Sequence, residues 1–307
     1  MEKNRFLIGL IVIFFAICIL IPASDVKAAE EKIPIKDIQT TYIDLDEEVT
    51  LTISGKGIVW ENISKTRYVS SYPTDVGKNN IRFSSDNGVL YNKDKTELIC
   101  YPSEKQGKTF IADESVKTIK EYAFSNNYYL EEVDISKVDV IERGTFYSIK
   151  TLKNVKLPET LTQMGTAVFS GASSLKEVTL PKGITKIEAC TFTDANELKK
   201  VNFPNTIAEI GDYAFAGCSY LEKFTVPLGT TKLGNQVFQA CHKMEKLYIP
   251  NTVKQIESLG EGLKTTQIYC KSGTYAEEYL KNNEYECQID DTAPVMIITY
   301  SELEKTK

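Results

Sequence analysis

Along the middle of the chain, apolar and polar residues follow two nested periods. Within segments such as Leu175-Lys176-Glu177-Val178-Thr179-Leu180 they alternate one by one, the mark of a short strand with one buried side. Between segments, whole columns recur: Phe124, Phe146, Phe169, Phe192, Phe215 and Phe238 are spaced by 22, 23, 23, 23 and 23 residues. Five residues before each Phe stands Ile119, Ile141, Met164, Ile187, Ile210 or Leu233; six after it stands Leu130, Leu152, Leu175, Leu198, Leu221 or Met244. Pro158, Pro181, Pro204, Pro227 and Pro250 keep the same register and end each strand, because proline cannot donate the next ladder hydrogen bond. Small residues flank the Phe positions (Ala214, Ala216 and Gly217 in one coil) and let the chain turn with the ring inward. The pattern predicts a repeat solenoid of about seven coils of 22–23 residues, with equivalent strands stacked into a parallel β-sheet on one face.

A single coil brings five or six apolar side chains, each contributing about 1.5–3 kcal/mol when fully buried. Ordering its backbone costs about 1–2 kcal/mol per residue. One coil alone loses that contest, so the run folds only as a stack, and both ends must be capped. At the front, Val89-Leu90-Tyr91 and Leu98-Ile99-Cys100-Tyr101 flank the polar turn 92–95, which predicts a hairpin cap over 86–109. The repeats then run over 110–268, opening at Phe110-Ile111-Ala112 and closing with a strand at 263–268 in a coil shortened by four residues. Thr274-Tyr275-Ala276-Glu277 has capping-box spacing and predicts a helix with Ala276, Tyr279 and Leu280 on its inner side. A last strand near 285–287 completes a C-terminal cap over 269–289, and 290–307 read as a tail or linker. Residues 29–85 do not follow the repeat; an alternating strand at 47–54, a turn at Gly55 and Gly57, and a second strand from Ile58 make a small β-rich N-terminal region.

The unit from Ile210 to Pro227, read as I-x-x-x-A-F-x-G-C-x-x-L-x-x-F-x-V-P, is similar to the BspA-like leucine-rich repeat of bacterial surface proteins. The front segment 87–95 and the rear segment 272–279 resemble the usual flanks of that family, so the resemblance covers about 86–288. It implies a leucine-rich-repeat solenoid in a secreted or surface-attached binding protein, with adhesion as its role. It assigns no functional residue, since the recurring positions are scaffold.

Composition narrows the function classes. A formal charge of −6 without any basic tract argues against nucleic acid as partner. The single His removes most metal-centre and His-dependent catalytic schemes, so the expectation is a protein without cofactor, metal or enzymatic activity. Ahead of the fold, Lys3 and Arg5 precede an apolar run from Phe6 to Ile21, and Val26-Lys27-Ala28 offers a small-residue cleavage site, which reads as a secretory signal over 1–28. The run of 16 residues is shorter than the roughly 20 of a spanning helix. Cleavage then leaves a secreted or loosely cell-surface-associated chain with no stable membrane insertion. Ile17 before Cys18 breaks the pattern of a lipid-anchoring site.

Several local motifs are better explained by the scaffold. Leu157-Pro158-Glu159-Thr160-Leu161 nearly reproduces a sortase recognition motif, but Leu161 replaces its Gly and matches Ile184 and Ile207 of later coils. Cys241-His242 suggests a nucleophile and base, yet the positions equivalent to His242 are Tyr128, Lys150, Ser173, Asn196 and Ser219, an exposed turn. Cys218 and Cys241 share a column with Ala172 and Ala195 and read as small buried residues, either free or bridged to each other; Cys270 and Cys287 flank the predicted helix and are either bridged or free.

What varies is the outward side of the sheet. One column reads Glu131, Lys153, Lys176, Lys199, Glu222, Glu245; the next Glu132, Asn154, Glu177, Lys200, Lys223, Lys246; the third Asp134, Lys156, Thr179, Asn202, Thr225, Tyr248. Like charges one strand apart repel modestly and are tolerated where an anionic ligand answers them. Lys153, Lys176, Lys199, Lys200, Lys223, Lys246 and Tyr248 therefore form the candidate ligand-binding face. The expected partner is an extracellular protein; a carbohydrate or cell-wall polymer is the alternative, and an enzymatic site within 30–85 a third.

Overall fold

The computed structural model describes residues 82–290 throughout and, ahead of them, the backbone of strands Thr41–Tyr42, Thr50–Ser54, Gly57–Glu61 and Val69–Ser70. The expected signal segment 1–28 and residues 291–307 lie outside the described residues. In the N-terminal region, Thr50–Ser54 and Gly57–Glu61 pair as an antiparallel hairpin, and Thr41–Tyr42 pairs with Val69–Ser70.

From Thr109 onward the chain winds as a solenoid with three hydrogen-bonded walls. The first is a wide ladder of mostly three-residue parallel strands, from Thr109–Ile111 through Glu132–Asp134, Asn154–Lys156, Glu177–Thr179, Lys200–Asn202, Lys223–Thr225 and Lys246–Tyr248 to Gln267–Cys270. Alternation turns Val133, Val178, Phe224, Leu247 and Ile268 inward. The ladder falls into three sheets, interrupted after Asn154–Lys156 and after Lys200–Asn202. The second wall is a narrow ladder of two-residue strands, Thr118–Ile119, Val140–Ile141, Lys186–Ile187, Glu209–Ile210, Lys232–Leu233 and Gln255–Ile256, with Met164 bridged to Ile141. Two-residue strands are too short to betray themselves by alternation, and only the Ile column marks them in the sequence.

The third wall carries the Phe column. Two residues before each Phe, at Tyr122, Gly144, Ala167, Cys190, Tyr213 and Gln236, the backbone is left-handed, and it is so again two residues after, at Asn126, Ser148, Gly171, Asp194, Gly217 and Ala240. This conformation aims three N–H groups per coil at the next coil, as when Ala167, Phe169 and Gly171 donate to the carbonyls of Ala189, Thr191 and Thr193 at 2.9, 2.9 and 2.7 Å. Left-handed backbone is unfavourable for residues with a Cβ; here each instance is held by the coil stacked upon it.

Inside the walls the six Phe rings form one stack, each fully buried, with neighbouring centroids 5.2–5.9 Å apart. Such ring pairs add about 0.5–1.5 kcal/mol beyond the area they bury. The ends differ from the expected boundaries. At the front, Phe83–Asp86 joins Val89–Asn92 and Glu97–Cys100 in an antiparallel meander, so the cap starts at Phe83 rather than 86. Its last strand pairs in parallel with Thr118–Ile119 and so extends the narrow ladder.

At the back, Leu247 pairs with Ile268, a spacing of 21 residues, so that coil is shorter by two residues rather than four. The Thr266 N–H donates to Leu263 as Met244 does to Cys241; Leu263 thus fills the Cys241 slot, and the strand begins only at Gln267. The helix Tyr275–Asn282 follows, with Thr274 accepting from the Glu277 N–H and Glu277 accepting from the Gly273 N–H at 2.7 Å. Ala276 and Leu280 close the core. The last strand is Cys287–Ile289, two residues beyond the expected position; it pairs in parallel with Gln267–Cys270. A Cys270–Cys287 disulfide spans the helix, with Cα atoms 6.5 Å apart. No helix among the described residues is long and apolar enough to cross a membrane.

Candidate functional site

On the outward side of the wide ladder, Lys153, Lys176, Lys199, Lys200 and Lys223 are exposed, while Lys246 and Tyr248 are half-buried. The structure divides these candidates by charge. In the N-terminal half, Glu131 is clamped between Lys108 at 2.7 Å and Lys153 at 2.6 Å. Hydrogen bonds from these two ammonium groups, Lys108 first, hold its carboxyl down to about 2. Lys156 pairs with Asp134 at 3.3 Å, and Lys176 with Glu197 of the adjoining turn at 3.6 Å. Glu177 accepts from Lys200 at 2.9 Å and from Asn202 at 2.8 Å. The Lys200 bond is the main reason its carboxyl is held below the usual range, against the opposing effect of burial. Lys153, Lys176 and Lys200 are therefore answered within the fold. Lys199, Lys223 and Lys246 form no ion pair among the described residues.

Two of these three sit in the last of the three sheets. There Lys223 lies opposite Lys246 and Thr225 opposite Tyr248; Lys246 and Tyr248 in turn lie opposite Gln267 and Tyr269. Tyr248 and Tyr269 stack with centroids 4.5 Å apart and planes 11° from parallel. The Tyr269 hydroxyl donates to Gln267 Oε1 at 2.9 Å, and Lys246 Nζ stands 5.9 Å from the Tyr269 ring centre. Tyr269 escaped the sequence reading because the shortened coil shifts it two places off the 23-residue register. Beside this block a shallow groove of about 480 Å³ is lined by Glu222, His242, Lys243, Glu245, Lys246 and Gln267 among others. Lys243 Nζ lies 3.5 Å over the Tyr220 ring.

The outward side of the narrow ladder is arranged differently. Lys186 meets Glu188 at 3.3 Å and Glu209 at 3.4 Å; Lys232 meets Glu209 at 3.8 Å and Glu257 at 3.3 Å. Successive coils thus alternate in sign. Burial disfavours the Lys186 charge, yet Glu188 and Glu209 outweigh it and raise its pKa.

The remaining motifs resolve into scaffold. Leu157 and Leu161 are buried, and the Leu161 N–H donates to Pro158 in a turn. The Cys241 thiol is buried and donates to the Phe215 carbonyl at 3.1 Å, whereas His242 is exposed, so the two side chains lie on opposite sides of the coil wall. Cys218 repeats the arrangement one coil earlier, donating to Phe192 at 3.2 Å, and both thiols are free. Burial pushes the Cys241 thiol up to about 12 and Cys218 well above its ordinary value, so neither is a ready nucleophile. Among the described residues no group of three His, Cys, Asp or Glu side chains is placed to hold a metal ion.

Residues 100–199 and 139–260 match the family described as the BspA type leucine-rich repeat region, in 6 copies. Among solved structures, a leucine-rich repeat protein from Bacteroides ovatus is 19% identical, covering 74% of this chain and 70% of that one with a TM-score of 0.51. The leucine-rich repeat protein of T. pallidum is 18% identical over 70% of this chain and 98% of that one, with a TM-score of 0.52. At these identities the likeness is one of fold. A leucine-rich repeat protein from Eubacterium ventriosum is 30% identical over 54% of this chain, with a TM-score of 0.46, and the match spans about half, 52%, of that protein's length. No curated protein sequence matches the chain.

Proposed function

The chain belongs to the BspA type leucine-rich repeat family, and from that premise we propose that it is an exported surface protein that binds extracellular macromolecules through the outward side of its wide ladder. The carrying observation is the contrast between the two ladders. The narrow one matches its stacked lysines Lys186 and Lys232 with glutamates, whereas on the wide one Lys199, Lys223 and Lys246 form no ion pair among the described residues, and the last two share a sheet with the stacked pair Tyr248–Tyr269. A surface with uncompensated like charges and an aromatic pair is arranged to gain from an anionic partner. Export rests on the apolar run from Phe6 to Ile21 and the small-residue site at Ala28. Adhesion to matrix, host-surface or cell-wall material is the corresponding role. The full chain, immobilised and exposed to extracellular-matrix, host-surface and cell-wall fractions, is expected to capture a component that high salt releases. Retention of nothing from any fraction contradicts the reading.

A further inference from the structure

In a strand, residues i and i+2 share a side, and paired strands set their equivalents about 4.7–4.9 Å apart. Lys223 and Thr225 therefore form one outward block with Lys246 and Tyr248, extended by Gln267 and Tyr269. The near-parallel stacking of Tyr248 on Tyr269 makes both rings stand across the solenoid axis, so Tyr269 covers the C-terminal flat side of Tyr248. The other flat side of Tyr248 looks back over Thr225, too short a side chain to cover a phenol ring. Asn202, next in the column, is drawn down to Glu177 and Thr179 by hydrogen bonds of 2.8 and 2.9 Å. The result is a step, with an aromatic wall and a hydroxyl-bearing floor.

Lys223 and Lys246 lie one i,i+2 interval along the strands from this step, stacked on each other, and neither forms an ion pair among the described residues. Glu222 and Glu245 flank them on the side away from the tyrosines, so an anionic group is directed toward the lysines and the step. Resting on the wide ladder as the binding surface, we infer that this block is a subsite for an acidic saccharide. A pyranose ring stacks on Tyr248, its hydroxyls meet Thr225, and its carboxylate or sulfate lies between Lys223 and Lys246. A protein hot spot fits less well, because it needs an apolar anchor in a desolvated pocket. The most exposed large apolar residues, Ile111 at 70% and Tyr128 at 59%, lie at the opposite end of the solenoid.

The test is an array of neutral, uronic, sulfated and sialylated oligosaccharides probed with the full chain, followed by calorimetric titration of the strongest binder. Acidic saccharides bind and their neutral counterparts do not. Tyr248→Ala and Lys223→Glu each weaken binding by about tenfold, Tyr248→Phe retains it because the ring face is kept, and Lys186→Glu on the narrow ladder leaves it unchanged. Circular dichroism establishes that each variant is folded. Equal binding of neutral saccharides, or wild-type affinity in Tyr248→Ala, overturns the subsite. A silent array alongside continued capture of a protein by the wide ladder overturns the saccharide inference and leaves the proposed function standing. A silent array with no capture from any fraction overturns both.

Discussion

The wide and narrow ladders wind around one core, and both expose lysine and glutamate, but they distribute charge in opposite ways. On the narrow ladder, Lys186, Glu209, Lys232 and Glu257 succeed one another along the stack, so each coil neutralises the next. On the wide ladder, Glu131, Asp134 and Glu177 neutralise the N-terminal half, and beyond Lys200 its outward lysines form no ion pair among the described residues. Strands so close together penalise stacked like charges, and the narrow ladder shows that this chain avoids the penalty where nothing opposes doing so. Lys223 stacked on Lys246 is therefore informative in a way that surface lysines taken singly are not. A solenoid makes this visible because each outward column repeats the same local geometry with a different side chain.

The largest effect is expected from what the two ladders share. Phe192 is fully buried between Phe169 and Phe215, with centroids 5.5 and 5.2 Å away. Phe192→Ala should cost about 3–5 kcal/mol in chemical denaturation, weakening both ladders together; a loss under 1 kcal/mol would mean the ring stack does not hold the coils. Next comes a change that breaks only the narrow ladder. Lys232→Glu sets three carboxylates in succession with Glu209 and Glu257 and should lower stability by about 1 kcal/mol without altering ligand capture.

The mirror change on the wide ladder should have the opposite sign. Lys223→Glu relieves its repulsion with Lys246, so stability rises by a few tenths of a kcal/mol at most, on the order of one cross-strand pair, while capture weakens by about tenfold. A stability loss matching that of Lys232→Glu would remove the distinction between the ladders. The smallest effect concerns Glu131. Its folded pKa is depressed to about 2 against an ordinary value of 4.5, so its contribution is present above pH 4.5 and fades as pH falls toward 2. Carboxyl NMR should place its titration near about 2 in the wild type and higher in Lys153→Ala; a Glu131 titrating near 4.5 would mean the clamp does not form.

Much of this architecture is legible in the sequence. The Phe, Ile, Leu and Pro columns fix coil length and register because each fills one slot in the stack, and slots tolerate little substitution. The left-handed positions are half legible. Asn126, Gly171, Asp194 and Gly217 are residues that adopt this backbone readily, but Tyr122, Ala167, Cys190 and Tyr213 are not, and stacking hydrogen bonds impose it on them. The candidate face is legible only as a set of columns. Which lysines are answered depends on carboxylates from other columns and turns, as with Lys176 and Glu197. Tyr269 was hidden because its coil is shorter by two residues, which moves it off the column that Tyr248 marks.

On the proposed function, the wide ladder and not the narrow one meets the ligand. The most direct measurement compares capture from extracellular fractions by the wild type, by Lys199→Glu/Lys223→Glu and by Lys186→Glu/Lys232→Glu, each verified as folded. The wide-ladder variant should lose about tenfold or more in affinity, with the narrow-ladder variant binding as the wild type does. Equal loss in both variants, or loss confined to the narrow-ladder variant, would rule out the wide ladder as the contact surface.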